Sequence, residues 1–132
     1  MTIRLLFVYG TLRAGFDGPM ARRLRAAGRH VGPAWAPGTL YRIAHYPGFV
    51  PGPSGQVVGD LFALDDPEAA LAWLDDYEEI GAHCPAPHEY RRETITVFGP
   101  DGAVQAWAYV YALDVAGLER IESGDFLAVR QG

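Results

Sequence analysis

The sequence predicts an α+β domain whose mixed, mostly antiparallel sheet curls into a barrel, with two main helices. Three observations lead there. The chain has 132 residues, enough for one hydrophobic core and too few for two. Sixteen glycines and ten prolines make up about a fifth of it, against roughly an eighth in average proteins, so short strands and shaped loops outweigh helix. Apolar patterning along the chain reads in the order β-α-β-β-β-α-β-β, as a single domain over residues 1–132.

Ile3 to Tyr9 is a near-continuous apolar run that stops at Gly10, the length and boundary of a buried strand. Pro19 suits the first turn of a helix running to about Ala27 and closed by Gly28. Val31 to Ala36 and Thr39 to Ala44 read as short extended pieces. Pro47 to Gly55 holds three prolines and three glycines and reads as a surface loop without regular structure. Gln56 to Leu64 is strand-like. Asp65, Asp66 and Pro67 then open a second helix with an acidic cap and a first-turn proline, running to Tyr77 or Glu78. Ile80 to His88 reads as a loop. Tyr90 to Phe98 and Ala103 to Leu113 are β-rich runs joined by Gly99-Pro100-Asp101-Gly102, a strong hairpin signal. The tail suggests a short helix around Ala116 to Ile121, followed by an extended end.

Composition narrows the function classes. Net charge is −5, with 16 acidic and 11 basic residues, so no nucleic-acid partner is expected. All basic residues other than histidine are arginine, which removes a lysine Schiff base or a P-loop lysine. Cys84 is the only cysteine, leaving no internal disulfide and no cysteine-clustered metal site. His30, His45, His83 and His88 lack metal-ligand spacing, so no metal is expected. No apolar run reaches the ~20 residues of a membrane span. Leu5 to Leu12 has the length of a signal-peptide core but no basic leader, so no membrane association and a cytoplasmic setting are expected.

Three segments break local rules. Tyr9-Gly10-Thr11-Leu12 follows the first strand. Glycine there either makes a plain turn or lets backbone N–H groups converge on an anion. The second segment is Asp75-Asp76-Tyr77-Glu78-Glu79. At ~100° per residue, Leu71, Leu74 and Glu78 lie at about 0°, −60° and −20° on the helix wheel, whereas Asp76 points away and Glu79 is about 80° off. Glu78 either faces the core, where desolvation suits a general acid/base, or frays into water. The third is Tyr90-Arg91-Arg92, where alternation puts Tyr90 and Arg92 on one face and Arg91 on the other: either the arginines are solvated, or one of them pairs with an acidic group while the tyrosine hydroxyl lines a polar pocket. Arg22, Arg23, Arg25 and Arg29 form a basic helix face. Trp73, Trp107, Tyr109 and Tyr111 are most simply core and strand residues.

Together these segments resemble the γ-glutamylcyclotransferase family, which includes γ-glutamylamine cyclotransferases and the plant avirulence-induced-like proteins. Val8-Tyr9-Gly10-Thr11-Leu12-Arg13 is similar to the family's Tyr-Gly-Ser/Thr-Leu loop, and Val58-Gly59-Asp60-Leu61-Phe62 to its Val-x-Gly-Glu-Leu/Val-Tyr strand. Leu74-Asp75-Asp76-Tyr77-Glu78 matches Leu-Asp-x-x-Glu, whose glutamate is catalytic in the family. Tyr90-Arg91-Arg92 and Trp107-Ala108-Tyr109-Val110-Tyr111 match later strands. Glu79 stands where the family commonly has glycine, and Ile80 to His88 is longer than in compact members.

The resemblance implies the family's fold and a cofactor-independent reaction: release of 5-oxoproline and a free amine from a small γ-glutamyl amide. It implies Glu78 as the catalytic residue and Tyr9, Gly10, Thr11, Leu12, Tyr90 and Tyr109 as substrate contacts. A second reading is a binding module of the same fold without catalysis. A third, a protein-interaction domain, would use the Pro47 to Gly55 loop.

Overall fold

The computed structural model describes residues 3–10, 12–13, 18–44, 46–78 and 87–126. Strand β1 (Leu5–Val8) leads through the Tyr9–Arg13 segment towards helix α1 (Pro19–Ala27). Gly28 ends α1 in extended backbone and opens β2 (Gly28–Ala36) without an intervening loop. β3 (Gly38–Arg42), β4 (Pro47–Pro51) and β5 (Val57–Leu64) follow, then α2 (Pro67–Tyr77), β6 (Tyr90–Gly99), β7 (Gly102–Tyr111) and a two-residue β8 (Glu119–Arg120).

Five strands close a barrel in the order β1-β5-β2-β6-β7, with β7 returning parallel to β1 and every other pairing antiparallel. A smaller sheet runs β4-β3-β8. The expected curled, mixed sheet with two helices is therefore the observed one. Alternation on β7 shows how the layers are built. Ala106, Ala108 and Val110 join the cluster of Phe7, Leu61 and Val97 that fills the barrel and extends to Leu40, Phe49 and Ile121 of the small sheet. Tyr109 and Tyr111 join Leu6, Val8, Phe62, Leu24 and Leu74 in the second cluster, between strands and helices.

Both helices start as capping rules require. Pro19 and Pro67 occupy first-turn positions, and the Asp66 carboxylate accepts the Ala69 N–H at 3.2 Å. The β6–β7 turn is the expected hairpin: Gly99 pairs with Gly102, and Gly102 takes φ +106°, a region glycine enters at low cost.

Two expectations fail. Pro47 to Gly55 is not a loop throughout, because Pro47–Pro51 pairs with β3 from Arg42 to Gly38. Its prolines sit at the two ends of an edge strand, where a missing N–H costs little, and Phe49 between them is fully buried. The exposed loop of the interaction-domain reading shrinks to residues 52–55, where Pro53, Ser54 and Gly55 remain exposed. No helix forms at Ala116 to Ile121 either. Gly117 adopts φ +83°, and Glu119–Arg120 pair with Arg42 and Tyr41 as β8. One or two helical turns cannot recover their nucleation cost, whereas β8 adds to an existing edge and buries Ile121. The tail beyond Phe126, and most of the Ile80 to His88 segment, lie outside the described residues. No helix among those described is long and apolar enough to cross a membrane.

Candidate active site

The site gathers at the end of β1, where α2 finishes against β6 and β7. Tyr9 is buried, and its hydroxyl donates to the Tyr109 carbonyl at 2.6 Å. Its ring meets Phe49 edge-on at 5.4 Å. Gly10 lies so close to β4 that a Cβ would come within 2.9 Å of Pro47 Cγ. Arg13 N–H closes the following turn on the Gly10 carbonyl at 3.1 Å, and Leu12 is buried. Thr11, expected as a substrate contact, lies outside the described residues, as does Glu79.

Arg13 fastens this turn from behind. Its Nε donates to Asp60 at 3.0 Å and its Nη1 to Asp125 at 2.7 Å, while His30 Nε2 lies 2.9 Å from the other Asp60 oxygen. Arg13 and Asp60 are the buried charged residues among those described. A buried charge needs such a partner, because an isolated ion loses far more hydration than the interior returns.

Glu78 ends α2. Its N–H still donates to the Leu74 carbonyl at 2.9 Å, so the last turn stays wound and the side chain is half-buried. Leu71 and Leu74, its neighbours on the wheel, are both buried. The Glu78 carboxylate acts electrostatically on three tyrosines. Burial raises the Tyr9, Tyr90 and Tyr109 hydroxyls well above the usual tyrosine pKa, and the charge of Glu78 adds to each shift. A backbone hydrogen bond from Phe49 opposes the rise at Tyr9, and the Arg92 charge opposes it at Tyr109. At Tyr109 the second cause after burial is the hydrogen bond to Asp75.

Tyr90 donates to the Pro47 carbonyl at 2.7 Å and meets Tyr111 edge-on at 5.6 Å. The structure thus brings Tyr9, Glu78, Tyr90 and Tyr109 into one cluster and places Gly10 at its border. Arg92 lies 3.5 Å from Asp75 and stacks 4.8 Å over Trp107, which settles the Tyr90-Arg91-Arg92 alternatives for that side chain in favour of pairing. Arg91 pairs with Glu93 on the exposed face.

Sequence reasoning passed over three groups here. Asp75 accepts the Tyr109 hydroxyl proton at 2.6 Å; the helix wheel that selected Glu78 puts Asp75 only about 40° from Leu71. Glu89 accepts the Tyr46 hydroxyl at 2.8 Å and adds negative charge near Tyr9 and Tyr90. The Arg13 cluster carries no local signal, since its partners lie 47 and 112 residues away. Among the described residues, no three His, Cys, Asp or Glu side chains gather as metal ligands.

Residues 6–128 match the family model described as gamma-glutamyl cyclotransferase, AIG2-like. The Escherichia coli gamma-glutamylcyclotransferase family protein YtfP is 44% identical over 88 residues, 67% of this chain and 66% of that protein. A Vibrio cholerae protein, provisionally named a gamma-glutamylcyclotransferase, is 37% identical over 125 residues, covering 92% of this chain and 94% of its own. The solution structure of E. coli ytfP superposes with a TM-score of 0.67 at 36% identity, covering 96% of this chain and 98% of the other. With the family model matched over most of the chain and relatives alike in sequence and fold, the chain belongs to the gamma-glutamyl cyclotransferase, AIG2-like family.

Proposed function

We propose that this protein is a cofactor-independent γ-glutamylcyclotransferase that releases 5-oxoproline and a free amine from a small γ-glutamyl amide. The observation that carries the reading is the half-buried Glu78 carboxylate set among the Tyr9, Tyr90 and Tyr109 hydroxyls. Because those phenols are held protonated far beyond neutral pH, none can serve as a base there. A carboxylate can, and of Asp75, Glu78 and Glu89 it is Glu78 that stands at the glutamate of the family's Leu-Asp-x-x-Glu segment.

In this reading, backbone N–H groups between Tyr9 and Leu12 hold the substrate α-carboxylate. Glu78 takes a proton from the α-ammonium, and the freed amine attacks the γ-carbonyl carbon. The ring C–N bond forms, its nitrogen gives up a second proton, and the amide C–N bond breaks as both protons pass by way of Glu78 to the departing nitrogen, which leaves as an ammonium. Nucleophile and electrophile belong to one molecule, so holding the chain folded supplies much of the rate. Family membership supports the reaction class, and the fold supports a site at the end of β1.

The test is 5-oxoproline release from a panel of γ-glutamyl amides, with Glu78→Gln alongside wild type. We expect Glu78→Gln to lower kcat by about a hundredfold or more. Equal initial rates would reject Glu78 as the base. A wild type that is melted at higher temperature by the amides but turns none over would favour the non-catalytic binding module.

A further inference from the structure

A phenol has one proton to give. At Tyr109 it goes to Asp75, at 2.6 Å, the length of a charge-assisted O–H···O⁻ bond. Tyr9 spends its proton on the Tyr109 carbonyl and Tyr90 spends its own on the Pro47 carbonyl. The hydroxyls gathered near Glu78 are therefore committed as donors to the protein; the Tyr9 oxygen also accepts from the Phe49 backbone, and what Tyr90 and Tyr109 still offer is lone pairs. Lone pairs beside a carboxylate receive a cationic N–H group and repel a second carboxylate. Asp75 is itself restrained: Arg92 lies 3.5 Å from its other oxygen and is stacked on Trp107.

We infer that Asp75 is a positioning residue which, by accepting the hydrogen bond of the Tyr109 hydroxyl, turns that oxygen's lone pair towards Glu78 to receive the substrate α-ammonium. The inference rests on the reading of Glu78 as the base, and it fixes the direction in which the substrate lies. The ammonium goes to the α2 end and the carboxylate to the Tyr9–Arg13 turn. It also gives the aspartate of the Leu-Asp-x-x-Glu segment a task three residues ahead of the glutamate.

The experiment compares wild type, Asp75→Ala, Asp75→Asn, Tyr109→Phe and the Asp75→Ala/Tyr109→Phe double variant, reading kcat, KM and Tm on an amide that wild type turns over. Each of Asp75→Ala and Tyr109→Phe should raise KM about tenfold, the scale of one hydrogen bond to a charged group, with a smaller change in kcat. The double variant should be no worse than the weaker single one, because both remove the same interaction. Asp75→Asn keeps an acceptor oxygen and should restore most of the KM. Losses that multiply in the double variant, or a fall in Tm without a change in KM, would overturn the inference while leaving Glu78 as the base.

If wild type turns over no amide, the Glu78 reading falls and binding decides the Asp75 inference. Calorimetry would then compare a γ-glutamyl amide with its deaminated analogue. A preference of about tenfold for the ammonium-bearing ligand, lost in Asp75→Ala, supports it. Equal binding, or none, overturns it.

Discussion

The two halves of the site are held by opposite means. Behind the Tyr9–Arg13 turn lies a buried ionic cluster in which one guanidinium spans two carboxylates and one of these also meets a histidine. At the end of α2 lies a neutral cluster of phenols, each hydrogen-bonded to a carbonyl or carboxylate. Arg13 both closes the turn, through its N–H on the Gly10 carbonyl, and ties it to Asp60 and Asp125 through its guanidinium. A base, by contrast, works best where neighbouring groups do not titrate with it. Raised tyrosines meet that need, because they supply hydrogen bonds without changing charge at neutral pH.

The ionic half should break hardest. Arg13→Met removes the cation that Asp60 and Asp125 share, and although Asp60 keeps His30, breaking a buried pair from one side costs about 3–5 kcal/mol. For a chain of this size that is a fall in Tm of about 10 °C or more. Arg13→Lys should recover part of it, since a single ammonium cannot fork between two carboxylates as the guanidinium does. In an active preparation KM should rise as well, because the turn loses its anchor. An Arg13→Met variant that melts with wild type would mean the turn is held by Leu12 and Gly10 packing alone.

The neutral half should fail through pH instead. Tyr9, Tyr90 and Tyr109 all have folded pKa values raised above the ordinary 10. Below pH 10 both folded and unfolded chains keep these protons, so stability is level. Above pH 10 the unfolded chain sheds them while the folded one holds them, and stability falls by about 1.4 kcal/mol per pH unit for each such tyrosine. Urea midpoints between pH 8 and pH 11 measure the slope, and Tyr90→Phe should make it shallower by one proton. A flat profile to pH 11 would show that these hydroxyls ionise as freely folded as unfolded.

How much of this was legible follows the same division. Helix α1, helix α2 and the β6–β7 hairpin rest on local chemistry: Pro19, the Asp66 cap, and Gly102 in its turn. Glu78 was visible because a helix wheel needs only nearby residues. β4 and β8 were not, since what makes them strands is β3 lying alongside, and proline or glycine content argues the other way until that partner is known. Asp60 drew notice only through its motif, while Arg13 and Asp125 became its partners through the fold. Asp75 is the instructive miss. Its wheel angle favoured it, and only its tie to Tyr109 on a distant strand gave that angle a meaning.

The smallest expected effect sets the scale for the first. Arg42 and Glu119 form an ion pair at 3.0 Å, the same distance as Arg13 to Asp60, but their side chains are 43% and 71% exposed. Water screens such a pair, and ordering two long side chains offsets what attraction remains. Glu119→Gln should therefore shift stability by no more than about 0.5 kcal/mol, and the midpoint should be insensitive to added salt. The strand it sits on is held by other means: the backbone ladder to Tyr41 and Arg42, the Ile121 N–H on the Leu40 carbonyl at 2.8 Å, and the burial of Ile121. A loss above about 1 kcal/mol would exceed what an exposed pair contributes. The contrast between Arg13 and Arg42 would then rest on geometry rather than on burial, and the ranking of these variants would have to be redrawn.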